Sequence, residues 1–432
     1  MNIVNNNTHK NSVWYFHQYA TLPTLNGLYR PYLFGKVSKD CKYTVFASSY
    51  QHYSETNVIT DDSEYIEKLV DGVKFVFIST HSSKGSIIRR IMGMLEYAYK
   101  ANKVAVMISK HEQERPDIIV ASSPDLYTLV LGICLGKKFR KPVICEVRDL
   151  WPENLFNKSW YLREGGLIGR LGLFIEHWCY KKADAIVFTK EGDKDHILEQ
   201  GWDTEHGGDI NITKCNYINN GVDLSSINDK IQKYTIKDDD YGTKFVVTYV
   251  GAIRSTNNID IILDAAKSLI ARKDIVFHIY GDGNLVDKMN KRIVDENISN
   301  VKYKGYIENK FVPFVLSKSF VNLLNYGNNY NWTRGCSSNK LFDYMASGKP
   351  IISTVKMGYS PIVNYKCGIE LDENSGKCLS KAILRMLSLS TDEYMKLCEN
   401  AKKASLDYDI TRLSEKYSNV IIRLINGGDK ID

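Results

Sequence analysis

A short segment in the last third of the chain carries the residues best suited to bind an anion. Residues 335–350 read Gly-Cys-Ser-Ser-Asn-Lys-Leu-Phe-Asp-Tyr-Met-Ala-Ser-Gly-Lys-Pro. Ser338 favours a helix start and Gly348 a helix end, so a short helix is predicted between them. The free N–H groups of Asn339 and its neighbours at such a start, with the ammonium group of Lys340, suit a diphosphate.

Asp343 lies about one turn after Lys340 and shares its helix face, while Leu341, Phe342 and Met345 give the helix a core-facing side. The Asp343 carboxylate is suited to accept hydrogen bonds from ribose hydroxyl groups. A surface ion pair with Lys340 explains the same spacing. Both interpretations are open at this level.

A second group of charged residues follows a predicted buried strand. Residues 145–154 read Cys-Glu-Val-Arg-Asp-Leu-Trp-Pro-Glu-Asn, which places Arg148 and Asp149 at the strand end, where Pro152 interrupts regular structure. Ligands of α/β proteins bind at such ends. A surface turn with paired charges is the alternative interpretation.

Small residues close several other strands and let the backbone approach a ligand. Gly251 is followed by Arg254, which can pair with a phosphate, and Gly281 is followed by Asp282. After the first strand Gly27 is the only glycine, where a dinucleotide site needs several, and no Walker-type loop is present. This pattern disfavours nicotinamide, flavin and P-loop enzymes.

These residues require parallel sheets to bring the strand ends together. Short β-branched runs alternate with amphipathic segments through two successive series, which predicts an α/β fold of two Rossmann-like, doubly wound domains facing across a cleft. The polar stretch 229–243 reads as a linker. We therefore expect an N-terminal domain over 1–235, a C-terminal domain over 236–410, and a last helix over 411–432 that packs back across the junction.

Composition limits the class of protein. The chain has 432 residues, of which 44% are hydrophobic and 25% charged, as in soluble proteins with two cores. We expect a cytoplasmic protein, because no export signal begins the sequence and polar residues interrupt its longest apolar stretch, 118–136. Nine scattered cysteines without a Cys-x-x-Cys pair predict reduced thiols and no structural zinc. The net charge of +7 does not indicate a nucleic-acid partner.

Basic charge is concentrated in one predicted helix of the first half. The helix also carries six apolar residues, Ile87, Ile88, Ile91, Met92, Met94 and Leu95. It could lie on an anionic membrane surface, or it could be a packed helix with a solvated basic edge. Its basic residues, with few acids expected opposite them, are Lys84, Arg89, Arg90, Lys100 and Lys103.

Taken together, these segments resemble the family 4 retaining glycosyltransferases of GT-B fold. Within that family the chain is most similar to the bacterial enzymes of capsule, O-antigen and exopolysaccharide assembly, whose motif runs Asn-Lys-Leu-Phe-Asp/Glu-Tyr-Met-Ala-x-Gly. The segments that carry the resemblance are 27–30, 148–153, 220–223, 250–251, 281–283 and 339–350.

The resemblance implies a nucleoside-diphosphate sugar donor on the C-terminal domain and a glycan or polyprenyl-linked acceptor over the N-terminal one. It implies no metal and no cofactor. Lys340 and Arg254 would neutralise the diphosphate, and Asp343 would hold the ribose. Tyr306 and Ile307 would border the base. The other residues implied at the donor site are Gly27, Gly251, Gly281, Asp282, Ser338 and Asn339, and Arg148 and Asp149 would contact phosphate, sugar or acceptor.

Three positions depart from the family pattern. Gly335 stands where the first glutamate of the family's Glu-x7-Glu signature is expected. Ala252 and Asn257 stand where the family has an arginine and a lysine, so the role of Arg254 is a proposed substitution. A sugar-nucleotide epimerase of the same fold and a non-catalytic sugar-nucleotide-binding protein are the alternatives.

Overall fold

The structure is a computed structural model that describes residues 10–25, 27–52, 54–82, 87–156, 163–328 and 332–427. The chain divides into two units, one formed by Met1–Asn219 with Leu413–Asp432 and the other by Asn220–Arg412. Each unit contains a mainly parallel sheet with helices packed on it. The predicted α/β class with two Rossmann-like units is confirmed.

The first unit is built on an eight-stranded sheet with the order β10-β9-β8-β7-β1-β2-β6-β5. Only the β5–β6 pair is antiparallel, and a small hairpin, β3–β4, stands apart. The strands are β1 (Asn11–Phe16), β2 (Cys41–Ser48), β3 (Tyr50–Gln51), β4 (Thr56–Asn57), β5 (Tyr65–Val70), β6 (Val73–Ile78), β7 (Ile118–Ser122), β8 (Val143–Val147), β9 (Ala185–Phe188) and β10 (Cys215–Tyr217).

The helices of the first unit cover both faces of this sheet. Its core joins Trp14, Phe16 and Phe46 of the sheet to buried residues of the helices that follow β6, β7 and β8. The helices are α1 (Arg30–Val37), α2 (Ile87–Ile108), α3 (Leu126–Phe139), α4 (Leu167–Lys182) and α5 (Asp195–Glu199). Near-continuous burial of β7, β8 and β9 is what a parallel strand between two helix layers requires.

The second unit has a six-stranded, entirely parallel sheet with the order β13-β12-β11-β14-β15-β16. The strands are β11 (Phe245–Val250), β12 (Ile275–Tyr280), β13 (Val301–Gly305), β14 (Val321–Leu324), β15 (Ile351–Ser353) and β16 (Gly368–Glu370). The helices are α6 (Leu224–Lys233), α7 (Ile259–Ser268), α8 (Val286–Asp295), α9 (Val312–Lys318), α10 (Asn339–Ala346), α11 (Pro361–Asn364), α12 (Gly376–Leu387) and α13 (Thr391–Asp407).

The last helix, α14 (Ile410–Ile425), begins in the second unit, and its residues from Leu413 belong to the first. The Tyr417 ring packs against the Phe34 ring of α1 in a tilted arrangement, with the centroids 5.3 Å apart. The Ser414 hydroxyl donates to the Phe34 carbonyl at 3.1 Å. The helix thus covers the α1 side of the first sheet.

The boundary between the units lies at Asn219 and Asn220, ahead of the predicted one at 235/236. Stretch 229–243 is not a free linker, because α6 packs on α9 and the acids that follow it hold the second sheet. Asp240 contacts His278 at 2.8 Å and Lys302 at 2.6 Å, and Asp238 contacts Lys304 at 2.6 Å. Asp238 and Asp240, which the sequence placed in a linker, therefore attach this segment to β12 and β13.

Two smaller expectations are also resolved. Six of the nine cysteines are buried, as predicted. Within the described ranges, no helix combines the length and apolar character that crossing a membrane would require.

Candidate functional site

The N-terminus of α10 presents backbone N–H groups that nothing in the described chain satisfies. Ser338 occupies the N-cap position as predicted, but its side chain does not cap the helix. Instead its Oγ accepts a hydrogen bond of 2.6 Å from the Tyr326 hydroxyl. Among the described residues, no atom accepts a hydrogen bond from the N–H of Asn339 or Lys340. A helix start with free donors attracts an anion.

The Lys340 side chain is held over two aromatic rings beside this helix start. Its Nζ lies 4.3 Å from the ring centroid of Tyr326 and 5.1 Å from that of Tyr249. No carboxylate of the described residues lies within ion-pair distance of Nζ, and the surface pair with Asp343 is therefore not formed. Burial lowers the pKa of Lys340 to about 8. The ammonium group is thus partly desolvated and has no countercharge.

Asn257 gives Lys340 its polar partner. With the Asn257 amide oriented to satisfy its neighbours, Oδ1 accepts from Lys340 Nζ at 3.0 Å and from the Tyr249 hydroxyl at 3.2 Å. The amide nitrogen then donates to the Ala252 carbonyl at 3.1 Å. A neutral oxygen positions the ammonium group without neutralising it.

Two glycines allow the loops after β11 and β12 to meet beside Lys340. A Cβ atom on Gly251 would lie 3.1 Å from Lys340 Nζ and 2.8 Å from the Tyr249 hydroxyl. Gly281 has a φ of 140°, and a Cβ there would come within 1.8 Å of the Gly251 carbonyl oxygen. Glycine is therefore required at Gly281, whereas a side chain at Gly251 would displace the ends of the Lys340 and Tyr249 side chains.

The Asp343 carboxylate is half-buried and unpaired, about one turn along α10 from Lys340. Among the described residues, none donates a hydrogen bond to it. Burial raises the pKa of Asp343 to about 7, against the opposing charge of Lys230. Near neutral pH this group can accept or donate a hydrogen bond, which suits ribose hydroxyl groups.

The other predicted donor-site residues lie on loops at the carboxyl ends of neighbouring strands. Arg254 is exposed directly before the short turn Ser255–Asn257, and no ion pair joins it to the described residues. Exposed Asp282 accepts from the Gly283 N–H at 2.7 Å. After β13, Tyr306 is 58% exposed, and Ile307 packs partly on the core. The structure therefore groups Lys340 with Gly251 closely, and places the others around the same sheet edge.

The first unit carries the other predicted group, at the carboxyl ends of β1 and β8. Arg148 donates from Nη1 to Nε2 of His17, 2.8 Å away, and its backbone N–H donates to Ser123 Oγ at 2.8 Å. His17 is fully buried, and burial together with the Arg148 charge holds its pKa well below the ordinary value. The imidazole is therefore neutral and acts as an acceptor for the guanidinium.

Asp149 and Gly27 lie on the loops that follow β8 and β1, the same two strands that Arg148 and His17 follow. Asp149 lies 3.7 Å from the Lys190 ammonium group, which also contacts buried Asp193 at 3.6 Å. Gly27 donates its N–H to the Tyr29 hydroxyl at 3.1 Å, and a Cβ on it would collide with Thr21. The alternative of a surface turn with paired charges holds in part, because Asp149 does pair with a lysine.

Sequence comparisons agree with this division into two units. Residues 230–404 match the model described as Glycosyl transferases group 1. Residues 83–206 match the Glycosyl transferase 4-like domain. One segment of each unit therefore matches a glycosyltransferase domain model.

Several solved structures have the same fold as this chain. Sucrose-phosphate synthase of Thermosynechococcus elongatus is 14% identical with a TM-score of 0.70, over 97% of this chain and all of that one (100%). HepE of Anabaena in complex with UDP is 14% identical with a TM-score of 0.65, over 96% and 100%. The α,α-trehalose 6-phosphate synthase of Burkholderia multivorans is 13% identical with a TM-score of 0.69, over 97% of both chains.

One curated relative shares a short stretch of sequence. Poly(ribitol-phosphate) alpha-N-acetylglucosaminyltransferase of Staphylococcus aureus is 38% identical over 69 residues, which is 15% of this chain and 14% of that protein. The chain therefore matches only a small part of the length of this curated relative.

The structure shows the surroundings of two residues that depart from the family pattern, Gly335 and Asn257. Gly335 has a φ of 100°, a backbone conformation that strains any residue with a side chain. A glutamate in this backbone would carry that strain. Asn257, at the family's lysine position, is the residue that hydrogen-bonds Lys340.

Sequence reasoning missed His17, Tyr249 and Tyr326, and it named Asn257 only as a departure from the family pattern. His17 follows the first strand directly, so its position was a usable signal, but its partner Arg148 is remote in sequence. Tyr249 and Tyr326 end or follow β-strands and read as ordinary core residues. Their contacts with Lys340 depend on the packing of α10 against β11 and β14, which no local pattern encodes.

The described residues contain one group of side chains with the composition of a metal site. Asp238, Asp240 and His278 place their ligand atoms within 4.8 Å of one another. Lys302 and Lys244 contact Asp240, and Lys304 contacts Asp238, at 2.6 to 3.1 Å. A metal ion would have to displace three ammonium groups there. The cluster is better explained as the ionic attachment of 238–240 to the sheet.

Proposed function

We propose that this protein transfers a hexose or an N-acetylhexosamine from a nucleoside-diphosphate sugar to a hydroxyl group of a glycan or lipid-linked acceptor, with retention of configuration. The proposed setting is surface polysaccharide assembly at the cytoplasmic face of the membrane. The observation that carries the proposal is the Lys340 ammonium group, half-buried beside Gly251 with no countercharge among the described residues.

An unpaired, partly buried cation is costly unless a ligand supplies the missing charge. A diphosphate placed at the start of α10 would meet Lys340 and the free N–H groups of Asn339 and Lys340 together. Asp343, on the same helix, is then available for the ribose hydroxyl groups. The arrangement selects a ligand with both a polyanionic and a hydroxylated part, as a sugar nucleotide has.

The same charges serve the chemical step. Departure of a nucleoside diphosphate from an oxocarbenium-like sugar leaves negative charge that fixed positive groups stabilise. Each charge-assisted hydrogen bond is worth about 1.5–3 kcal/mol, or roughly one to two powers of ten in rate when it forms mainly in the transition state. The leaving phosphate can take the acceptor proton on the same face of the sugar, so retention requires no separate general base. No metal is proposed in this step.

The names of similar proteins support parts of the proposal. The staphylococcal relative is named as an alpha-N-acetylglucosaminyltransferase, which favours an N-acetylhexosamine donor and an α-linked product. HepE of Anabaena was solved with UDP and with UDP and glucose. These names favour UDP sugars as the first donors to test.

The test is calorimetry of UDP, GDP and their common sugar derivatives against the wild-type protein and the Lys340→Ala and Asp343→Ala variants, without added metal. We expect one nucleotide series to bind, with affinity reduced about tenfold or more in each variant. Lys377→Ala, an exposed lysine on α12, is the matched control and is expected to bind as wild type. Binding that is unchanged in Lys340→Ala would refute the assignment.

Turnover then separates transfer from the alternatives. A transferase releases nucleoside diphosphate in proportion to a glycosylated acceptor. An epimerase converts the donor into its epimer without any acceptor, and a binding protein does neither.

A further inference from the structure

Two helices of the first unit expose apolar stripes to solvent. On α2 the outward residues are spaced by three or four positions, and on α4 an adjacent pair is followed by two residues at spacings of three, so each set lies on one side of its helix. Their exposed fractions lie between 47% and 86%. Within the described ranges, no other helix exposes as many large apolar residues. The two sets are Ile88, Met92, Leu95 and Tyr99 on α2, and Leu167, Ile168, Leu171 and Phe174 on α4.

The two stripes lie on the same side of the sheet. Helix α3 packs against α2 on one side and α4 on the other, so the three form one layer. The outward side of α3 continues the surface with half-buried Tyr127 and Val130 and exposed Cys134. The apolar residues thus extend over a broad layer of three helices.

The apolar residues also lie toward a particular edge of the sheet. Helices α2, α3 and α4 each connect a strand to a parallel strand of the same sheet, so each begins at the carboxyl ends of the strands. Their exposed apolar residues occupy mainly the first half of each helix. Arg148 and His17 follow β8 and β1 at this same edge. The surface therefore adjoins the end of the sheet that carries the candidate acceptor residues.

The charges around the stripes differ from the sequence expectation. Lys100 pairs with Glu96 at 2.7 Å and Lys103 with Glu64 at 2.5 Å, so the predicted basic edge of α2 is largely neutralised. Lys84 lies outside the described residues. The exposed cations beside the apolar residues are instead Arg90 of α2 and Arg163 and Arg170 in or beside α4. Exposed Lys137, Lys138 and Lys182 border the layer at its other end, in the last turns of α3 and α4.

We propose that the outward face of α2, α3 and α4 is the surface on which the protein binds an anionic phospholipid bilayer. The apolar stripes would enter the interfacial region while the arginines beside them contact lipid phosphates. The face begins at the carboxyl ends of the strands, so an acceptor anchored in the bilayer would present its sugar near Arg148. Its role in catalysis rests on the proposed lipid-linked acceptor, whereas membrane binding itself does not.

The test is sedimentation of the full-length protein with vesicles of phosphatidylcholine, alone or mixed with phosphatidylglycerol. We expect binding to the anionic vesicles that weakens with added salt. The Leu171→Ser/Phe174→Ser variant of α4 and the Met92→Ser/Leu95→Ser variant of α2 are each expected to bind about tenfold less. The matched control is Met395→Ser/Leu406→Ser on α13, which is exposed to a similar degree and is expected to bind as wild type.

Several results would overturn the proposal. They are failure of the wild type to bind anionic vesicles, equal loss of binding in the α13 control, and a dimer in light scattering that only the α2 and α4 variants dissociate. The last result would make the face an interface between two copies of the chain. Nucleotide calorimetry on the same variants separates this proposal from the proposed function, because donor binding is expected to be unchanged in all of them.

Discussion

Nε2 of the buried His17 lies 2.8 Å from Nη1 of Arg148 and accepts its hydrogen bond. The two residues follow β1 and β8, so one contact joins two strand ends on the carboxyl edge of the first sheet. Because the guanidinium charge lowers the pKa of His17 further below the range set by burial, the imidazole remains neutral over the physiological pH range. His17 therefore acts as a positioning residue for Arg148.

Replacement of His17 by phenylalanine is expected to lower kcat about tenfold, because the ring keeps the core filled but removes the acceptor that orients Arg148. Donor affinity should stay unchanged, since Lys340 and Asp343 lie in the other unit. Steady-state kinetics and UDP calorimetry measure the two effects. His17→Gln, which retains an acceptor, should recover part of kcat. Equal loss in both variants, or a loss of donor affinity, would contradict a positioning role.

Addition of one methyl group at Gly251 is expected to weaken nucleotide binding. A Cβ there would meet Lys340 Nζ at 3.1 Å and the Tyr249 hydroxyl at 2.8 Å, so both side chains must move. The backbone at Gly251 does not have a positive φ, so Gly251→Ala tests crowding and not strain. We expect a cost of about 1–3 kcal/mol, or roughly tenfold to hundredfold in Kd by calorimetry.

Gly165→Ala is the matched control, because a Cβ at that position meets nothing within 4 Å. Its thermal stability and nucleotide affinity should equal those of the wild type. If Gly251→Ala also binds as wild type, Lys340 can shift without consequence, and the described position of its ammonium group is not the binding position.

The features that were predicted from sequence are those fixed by local patterns. Helix α10 was expected over the residues that form it, because Ser338, Gly348 and the Leu341-Phe342-Met345 side determine both ends and the buried face. That the helix start is left uncapped could not be predicted, because the Tyr326 hydroxyl, twelve residues away, donates to the Ser338 side chain. The local sequence indicates which residue occupies the N-cap position, but it does not show that a distant side chain will hydrogen-bond that residue instead.

Charges were the least predictable part of the fold. Asp238 and Asp240 read as solvated linker residues, yet they pair with side chains of β12 and β13. Lys100 and Lys103 read as free cations, yet each pairs with a glutamate. The spacing of charges in a sequence shows which residues can share a helix face, but not which strand or loop is placed opposite them.

The pH dependence of nucleotide binding follows from Lys340. Its pKa of about 8 is below the ordinary lysine value because of burial, and a bound diphosphate would raise it again. Affinity is therefore expected to fall as the pH rises above about 8, where proton uptake by Lys340 must accompany binding. Calorimetry of UDP from about pH 6.5 to 9.5 measures this change. In Lys340→Ala the decline should disappear, and an unchanged decline would assign the titration to another group.

A buried ion triad in the first unit gives a prediction about stability. His196 contacts Glu153 at 3.0 Å and Glu176 at 3.1 Å, and these two carboxylates raise its pKa to about 9. Because the pKa is raised on folding, the stabilisation is complete below about pH 6.5 and is lost as the pH rises through about 9.

Replacement of His196 by glutamine is expected to reduce the free energy of unfolding by about 3 kcal/mol near pH 6, since it removes the charged partner of buried Glu176 and of Glu153. Burial raises the pKa of Glu176, because a charged carboxylate is unfavourable there. This cost offsets part of the stabilisation that the charged His196 provides in the native protein. Urea unfolding should show the difference between wild type and variant shrinking near pH 9.5. His206→Gln is the matched control, because His206 is exposed beside Asp203 and its loss should cost much less. A pH-independent deficit in His196→Gln would mean that packing of the ring, and not its charge, stabilises the loop after β8.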